Sequence, residues 1–513
     1  MSSFSQKSVS ALALSLLLSP ALAQQVHVAG GRVGGVAMQD GGAIFHGIPY
    51  AAAPSGAYRW KRPLPRAPWS GVLDARHPAP ACVQADVGWN RDQIKGARED
   101  CLTVSVRTPA LGRKHKLPVL VYVHGGSNAA GGAGGLDDDA IVREAIVLVR
   151  VQYRLGAFGF LGLDALRDED PHKSSANYGL LDQIAALKWV RANIAAFGGD
   201  PARVTLSGNS AGATDVLFLT LSPLAKGLFR RAILQSAAPG APRTAAHSEA
   251  MGNLLLDRLK LPHGAEGLAA LRKLPAQAIN AAAQNLPTTP GVDPSFTWEQ
   301  QNVDGYVLPE SYARAYAKGA GREIAIIIGS NTQEMGADRK PDAGDALVQA
   351  AFGAQAPHAR LLYGYRDGKA PDAHPLLGGM PTQVLTDMWF RCPSHWLAQR
   401  MRKAGSRVWR YEFGFGPPGS GKPPEHTSEM AYVYHAPPAR AAGWPPAQRY
   451  WANFIRNGDP NGAGLPFWPR VAGQDASLAI EPAGVKAVYG ARAGLCKLMF
   501  QNVDHPPSAV VPN

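Results

Sequence analysis

Ser210 stands in the run Arg203-Val-Thr-Leu-Ser-Gly208-Asn209-Ser210-Ala211-Gly212, a short strand pattern that passes through G-x-S-x-G into helix-capable residues. This order predicts a sharp strand-to-helix turn with a serine hydroxyl held out at its apex. The two glycines let the backbone fold tightly around the serine with no Cβ in the way. The peptide N–H of Ala211 then lies at a helix start, where a developing oxyanion is favoured. Glycine is abundant in this chain (56 residues), so the neighbours of the motif carry the weight. A serine hydroxyl is too weak an acid to attack an acyl carbon alone; it needs a base, and the base needs an orienting acid. Of the 14 histidines, the favoured base is His426, in Glu425-His426-Thr427-Ser428-Glu429. It follows the last clear strand pattern across a Gly/Pro-rich loop, and Ser428 or Thr427 is placed to cap a helix after it. His435 is the second candidate, but Ala436-Pro-Pro beside it reads as plain loop.

The elements that must position these groups alternate. Val26 to Met38 and Ala43 to Pro49 read as strands with Gly-rich turns. Leu117 to His124 and Ala145 to Tyr153 are continuous apolar runs of the buried-strand type. Asp182 to Ile194 has helical periodicity, with Ile184, Leu187, Trp189, Val190 and Ile194 largely on one side. The strand into the serine turn follows, then strand patterns at Arg231 to Gln235, Glu323 to Ile328 and Val408 to Phe413. Buried strands alternating with helices predict an α/β fold with a mostly parallel central sheet and helices on both faces. Two Ala-rich, helix-forming stretches, about 240–302 and 337–387, read as insertions that build a cap over a site. No repeat or clean linker marks a second domain, so residues 24–513 are read as one domain.

With 513 residues, 46% hydrophobic and 18% charged, the chain has ordinary globular composition and ample length for a large core. Lys7, the apolar run Val9 to Leu18 and Ala21-Leu22-Ala23 form a secretory signal pattern over residues 1–23, with the mature chain starting at Gln24. That apolar run is too short to span a bilayer, so no membrane anchor is expected. The reading is a secreted or periplasmic protein, and export permits disulfides. The four cysteines, Cys82, Cys101, Cys392 and Cys496, allow three pairings and lack the CxxC spacing of a metal site. No metal and no cofactor is expected. The net charge is +13, but the basic residues are scattered, which argues against a nucleic-acid partner.

Several separate motifs, in order, resemble the type-B carboxylesterase and cholinesterase-like family of α/β-hydrolases. They are Phe45-His-Gly-Ile-Pro-Tyr50, Glu99-Asp-Cys-Leu102, His124-Gly-Gly126, Tyr153-Arg-Leu-Gly-Ala-Phe-Gly-Phe160, Asn177-Tyr-Gly-Leu-Leu-Asp182, Phe197-Gly-Gly-Asp-Pro201, Gln235-Ser236, Trp451-Ala-Asn-Phe454 and Asn457-Gly-Asp-Pro-Asn461. The resemblance runs from about Gly31 to Asn502 and weakens in the two insertions. It implies the α/β-hydrolase fold and hydrolysis of small-molecule carboxylic esters through an acyl-enzyme. In such folds the chain order is Ser, acid, His. Glu334, in Gly329-Ser-Asn-Thr-Gln-Glu334, resembles the acid loop, and the H-x-x-E context of His426 resembles the histidine loop. Asp304 also matches a family motif and reads as a turn former. The oxyanion donors implied are the N–H groups of Gly126, Ser127 and Ala211.

Two departures stand out. The family usually has a third glycine where Ser127 stands; serine keeps the N–H but tolerates positive φ less well. It usually has glutamate immediately before the nucleophile, where this chain has Asn209. The resemblance further implies disulfides Cys82–Cys101 and Cys392–Cys496, and ion pairs Arg59–Glu99 and Arg154–Asp182. Trp89 lies near the place of the cholinesterase cation-binding Trp without matching its spacing, and reads as core or rim packing. Gly416-Pro-Pro-Gly-Ser-Gly421-Lys422 imitates a phosphate-binding loop, but Pro423 stands where a magnesium-ligating Ser or Thr is required.

The competing function is a non-catalytic adhesion or binding protein on the same fold, since fold alone does not fix function. Loss of Ser, acid or His would favour it, and all three positions are filled. A strongly basic chain without an acid at position 209 points away from choline esters. It points toward neutral esters or those bearing carboxylate or phenolic groups, a polycarboxylate of the fumonisin type among them. The natural ester and the oligomeric state are not legible.

Overall fold

The computed structural model describes residues 24–500, apart from 40, 135–139, 241–242, 285, 287–297, 299–300, 336–339, 341–342, 438–442 and 474. The signal pattern over 1–23 therefore lies outside the described residues. The strands are β1 (Gln24–Val28), β2 (Gly31–Ala37), β3 (Ala43–Pro49), β4 (Val72–Asp74), β5 (Thr103–Thr108), β6 (Leu117–Val123), β7 (Val147–Val151), β8 (Gly199–Asn209), β9 (Arg231–Gln235), β10 (Arg243–Thr244), β11 (Asn302–Val303), β12 (Ala325–Asn331), β13 (Arg407–Phe413), β14 (Ala476–Glu481) and β15 (Gly484–Tyr489). The large sheet runs β1-β2-β3-β5-β7-β6-β8-β9-β12-β13-β14-β15, with β4 beside β2. From β7 to β14 every pairing is parallel. The two flanks are antiparallel, apart from β4, which pairs with β2 in parallel.

The parallel middle follows from its residues. Strands covered on both faces need side chains that tolerate burial on both sides, so they read as unbroken apolar runs. Along β6, Val119, Val121 and Val123 join one core, while Leu120 and Tyr122 join the core on the other face. The covering helices and the cap are α1 (Gly156–Phe160), α2 (Asp164–Glu169), α3 (Tyr178–Asn193), α4 (Ala211–Leu219), α5 (Ala245–Arg258), α6 (Gly264–Lys273), α7 (Ala276–Ala283), α8 (Tyr312–Ala317), α9 (Ala343–Phe352), α10 (Ala356–Tyr363), α11 (Met380–Thr386), α12 (Cys392–Ala404), α13 (Ser428–Tyr434), α14 (Ala447–Asn457) and α15 (Ala493–Met499).

Boundaries differ from the sequence reading where side chains are used for something other than local structure. α3 begins at Tyr178, four residues before the periodicity starts. Asn177 precedes it but bonds Asn302 in both directions, at 2.7 and 3.0 Å, instead of capping the helix. The strand expected over Val26 to Met38 breaks at the turn before Gly31, which takes φ +144°. β12 reaches Asn331, beyond the expected end at Ile328, and so delivers the chain directly to Glu334. β5 and the β14–β15 hairpin had no distinct strand signal. The stretch 240–302 holds α5 to α7 between β10 and β11, which pair in parallel. The stretch 337–387 holds α9 to α11. Disulfides join Cys82 to Cys101 and Cys392 to Cys496.

Candidate active site

β8 ends at Asn209 and α4 begins at Ala211, leaving Ser210 alone at the turn with φ 55° and ψ −129°. Non-glycine residues rarely hold such a conformation, and it persists only where surroundings enforce it. Here the Ser210 N–H donates to the Gln235 carbonyl at 2.9 Å. A Cβ on Gly208 would meet the Gly212 carbonyl oxygen at 2.3 Å, and one on Gly212 would meet the Val123 oxygen at 2.3 Å. Both glycines of the motif are therefore required by close backbone approach.

The acid and the base meet. Glu334 is buried, and its Oε2 lies 2.6 Å from His426 Nδ1. Its Oε1 accepts from Ser236 Oγ at 2.6 Å and from the Asn331 backbone N–H at 2.7 Å. The His426 backbone N–H donates to the Glu334 carbonyl at 3.1 Å, so the two loops hold each other through main chain as well. With Nδ1 turned to a carboxylate, Nε2 is the ring nitrogen left to act as acceptor. Thr427 precedes α13 in a left-handed conformation and does not cap it. Ser428 Oγ instead accepts from the Glu425 N–H at 2.9 Å, which ties the loop upstream of the helix. His435 sits at the end of α13 and does not line the cavity. Asp304 shapes a turn, accepting from the N–H groups of Tyr306, Val307 and Leu308.

After β6 the chain turns through His124, Gly125, Gly126, Ser127 and Asn128. Gly126 takes φ 103°, Ser127 54° and Asn128 52°. A Cβ on Gly125 would come within 2.9 Å of Ser210 Cβ, so this loop lies directly against the serine turn. His124 is no base: burial pushes its pKa down to about 4, its Nδ1 lies 2.9 Å from the Gly125 carbonyl, and its ring stacks on Tyr153.

Ser210, His426 and Gly125 to Ser127 line one cavity of about 770 Å³. Trp89, Trp298, Trp389, Phe390, Met335 and Met388 make much of the remaining wall. Asp86 is the carboxylate among the described lining residues, and none of these is Lys or Arg. A hydroxyl, an imidazole backed by a carboxylate, and a glycine-rich loop against the serine turn, all lining one largely apolar cavity, form a set of the kind that carries out acyl transfer.

Residues 22–488 match the model of the carboxylesterase family. The chain belongs to the carboxylesterase family. It is 37% identical to a fumonisin B1 esterase of Sphingopyxis macrogoltabida over 80% of this chain and 74% of that one. It is 32% identical to carboxylesterase 1E of Rattus norvegicus, covering 85% and 86%. A solved PNB esterase matches with a TM-score of 0.78 and 28% identity, over 93% of this chain and all of the other. The fold is that of the α/β-hydrolases and the protein is a carboxylic ester hydrolase.

This carboxylesterase carries a second buried carboxyl behind the first, which the sequence reading did not single out. Glu429 Oε2 accepts from Asn331 Nδ2 at 2.7 Å; its Oε1 accepts from Gln235 at 3.2 Å and from Asn209 at 3.4 Å. Burial, and then the negative charge of Glu334, push its pKa up to about 7. Asn209 thus supplies an amide where the family's usual glutamate would add a further buried negative charge. Glu429 stands in the H-x-x-E context, but its partners lie 98 to 220 residues away, so no local signal marks the cluster.

The ion pairs Arg59–Glu99 and Arg154–Asp182 are present at 2.6 and 2.7 Å, the second fully buried. Trp89 lies at the cavity rim, 63% exposed, on the loop closed by Cys82–Cys101. The Gly416 to Lys422 stretch is a turn-rich loop leading toward His426.

Proposed function

We propose that this carboxylesterase is an exported serine hydrolase that cleaves neutral esters with apolar or aromatic groups, using Ser210 as nucleophile, His426 as base and Glu334 as orienting acid. The observation that carries the reading is the 2.6 Å contact of Glu334 with His426 Nδ1, in a cavity that also receives Ser210 at the tip of a strained turn. Ser210 Oγ attacks the ester carbon while its proton passes to His426 Nε2. The imidazolium so formed is stabilised by Glu334, whose other oxygen is fixed by Ser236 and Asn331. The N–H groups of Gly126, Ser127 and Ala211 receive the oxyanion. His426 then returns the proton to the leaving alcohol, and water, activated by the same histidine, frees the acid.

The apolar wall supports neutral substrates. The segments supplying Trp298 and Met335 lie in or beside the two poorly matching stretches, which accordingly set the choice of ester. A polycarboxylate ester is the second reading, favoured by the 37% identity to a fumonisin B1 esterase and by the basic chain. Export over residues 1–23 is supported by the two disulfides; amino-terminal sequencing of the secreted protein should begin at Gln24.

Ser210→Ala should lower kcat by about 10⁴-fold or more and abolish labelling by an organophosphonate, with the fold intact. Near-normal hydrolysis would sink the nucleophile assignment. A matched neutral, anionic and cationic ester series, with fumonisin B1 included, should show the highest kcat/KM for the neutral members. A preference for the anionic esters would replace the first substrate reading with the second.

A further inference from the structure

Asp215 lies on α4, five residues after Ser210, and is completely buried. Among the described residues its hydrogen-bond partners are three side-chain amides. Asn128 Nδ2 donates to it at 3.1 Å and Gln183 Nε2 at 2.5 Å, and Gln301 Nε2 also donates. No cation pairs with it among the described residues. Burial pushes its carboxyl up to about 7, against the lowering effect of these three bonds. Both glutamines leave their amide oxygens buried without a donor, so each turns its amine toward Asp215 at the expense of its other end. Burying a carboxyl without a cation is costly, and an apolar residue would serve packing alone better.

We propose that Asp215 is a positioning residue for ester hydrolysis, which through Asn128 fixes the Gly125–Ser127 loop relative to the Ser210 turn. The inference rests on the reading that this loop donates to the oxyanion. Asn128 is held on three sides: by Asp215 at its amine, by Tyr153 Oη donating to its Oδ1 at 3.1 Å, and by the Gly156 N–H donating to its carbonyl at 2.6 Å. The Tyr153 hydroxyl also reaches the His124 carbonyl at 2.8 Å. The loop is therefore clamped at its first and last residues, and the residues between are the candidate donors. Its left-handed pair, Ser127 and Asn128, needs such enforcement. α4 carries Ser210 at one end and Asp215 in its middle, so one short rigid body sets the distance between nucleophile and donors. Gln301 extends the same node to the strand pair beside Trp298 in the cavity wall.

A neutral amide at 215 would turn a donor against one of the three amines and release the loop. Displacing oxyanion donors costs rate, since losing one outright costs about 10²–10³-fold in kcat. Asp215→Asn is expected to lower kcat about 10- to 100-fold with KM within about twofold, and to slow phosphonate labelling of Ser210 by the same factor. Asn128→Ala should do the same. Gln183→Met, which removes the α3 partner without touching the loop, should change kcat by less than about threefold. The exchange Asn128→Asp with Asp215→Asn restores a donor–acceptor pair between the two positions and should recover most of the lost kcat. Should Asp215→Asn fail to fold, the Asn128 and Gln183 variants and the exchange still decide the matter. Equal kcat losses in Asn128→Ala and Gln183→Met, or an unrecovered exchange with a wild-type melting temperature, would overturn the proposal. If Ser210→Ala is inactive while Asp215→Asn is unchanged, the positioning role alone falls; if Ser210→Ala stays active, the underlying reading falls with it.

Discussion

At the floor of the cavity lie Ser210, His426 and the Gly125–Ser127 loop, with Glu334 buried against His426; Ser210, Glu334 and the loop follow β8, β12 and β6 closely, and backbone and side-chain hydrogen bonds hold the group together. At its rim and roof, Trp89, Trp298 and Trp389 come from three segments far apart in sequence and share the lining of one cavity. The floor tolerates almost no freedom: Gly208 and Gly212 each have a carbonyl oxygen within 2.3 Å of where a Cβ would stand. The roof asks only for apolar bulk of roughly the right size. Floor changes should therefore appear in kcat and in proton linkage, and roof changes in KM and in the choice of ester.

The largest expected effect is at the floor. Glu334→Gln leaves the shape nearly unchanged but turns an amide toward His426, favouring the wrong tautomer and removing the charge that stabilises the imidazolium. An isosteric change of this kind costs about 10⁴-fold in kcat in the serine-protease case, and a loss of at least about 10³-fold is expected here by the same logic. Steady-state rates at saturating ester would measure it, and a drop of less than tenfold would remove Glu334 from the assignment.

Next comes the pH dependence of stability, read at Glu429, the buried carboxyl that shares Asn331 with Glu334. Glu429 moves from 4.5 up to about 7 on folding. Between those values the folded chain holds a proton that the unfolded chain gives up. Its contribution to stability is thus full below the unfolded value and is lost as pH rises through about 7. The slope is at most about 1.4 kcal/mol per pH unit. Glu429→Gln should lose stability less steeply than the parent between pH 5 and 7, as read from urea midpoints. Identical slopes would show that Glu429 keeps its ordinary value in the fold.

The same division explains what could be read from the residues. Gly208, Ser210 and Gly212 are a local pattern because a tight turn makes local demands. Buried strands such as β6 and β7 are legible because burial on both faces needs unbroken apolar runs. His426 could be favoured from its place after the last strand, but Glu334 was placed through the resemblance, since a hydrogen bond across 92 residues leaves no spacing rule. Asp215 and the Glu429 cluster escaped for that reason, and an isolated Asp in an apolar helix looks like any other. The α3 start was misplaced because Asn177 spends its side chain on Asn302.

At the rim, Trp89→Ala should leave stability within about 0.5 kcal/mol, because the side chain is 63% exposed. Its ring leans on Gly126, where a built Cβ would come within 3.4 Å of it, so it bounds the space where an aromatic ester group would lie. Removing one aromatic face costs about 0.5–1.5 kcal/mol beyond area, or up to about tenfold in binding. KM for a phenyl ester should rise by that factor, with kcat and the KM of a methyl ester nearly unchanged. A fall in kcat equal to the rise in KM would place Trp89 with the floor.

The smallest effect tests the floor at Ser127, a strained position that no side chain anchors among the described residues. Ser127 and Asn128 are adjacent, both left-handed, and only Asn128 is held by Asp215. No side-chain hydrogen bond compensates the strain at Ser127 among the described residues, and the part proposed for it in the site is a backbone N–H that glycine retains. Ser127→Gly relieves a left-handed non-glycine residue, worth about 1 kcal/mol or somewhat more, and loses part of that gain to the freer unfolded chain. The net expectation is a stabilisation of about 0.5 kcal/mol with kcat within about threefold. Asn128→Gly accepts the same backbone geometry but gives up the anchor, so it should lose kcat despite equal relief of strain. Comparing the two glycine variants separates conformation from anchoring at neighbouring positions. A Ser127→Gly variant that loses as much rate as Asn128→Gly would show that the serine side chain, and not only its peptide group, takes part in the loop.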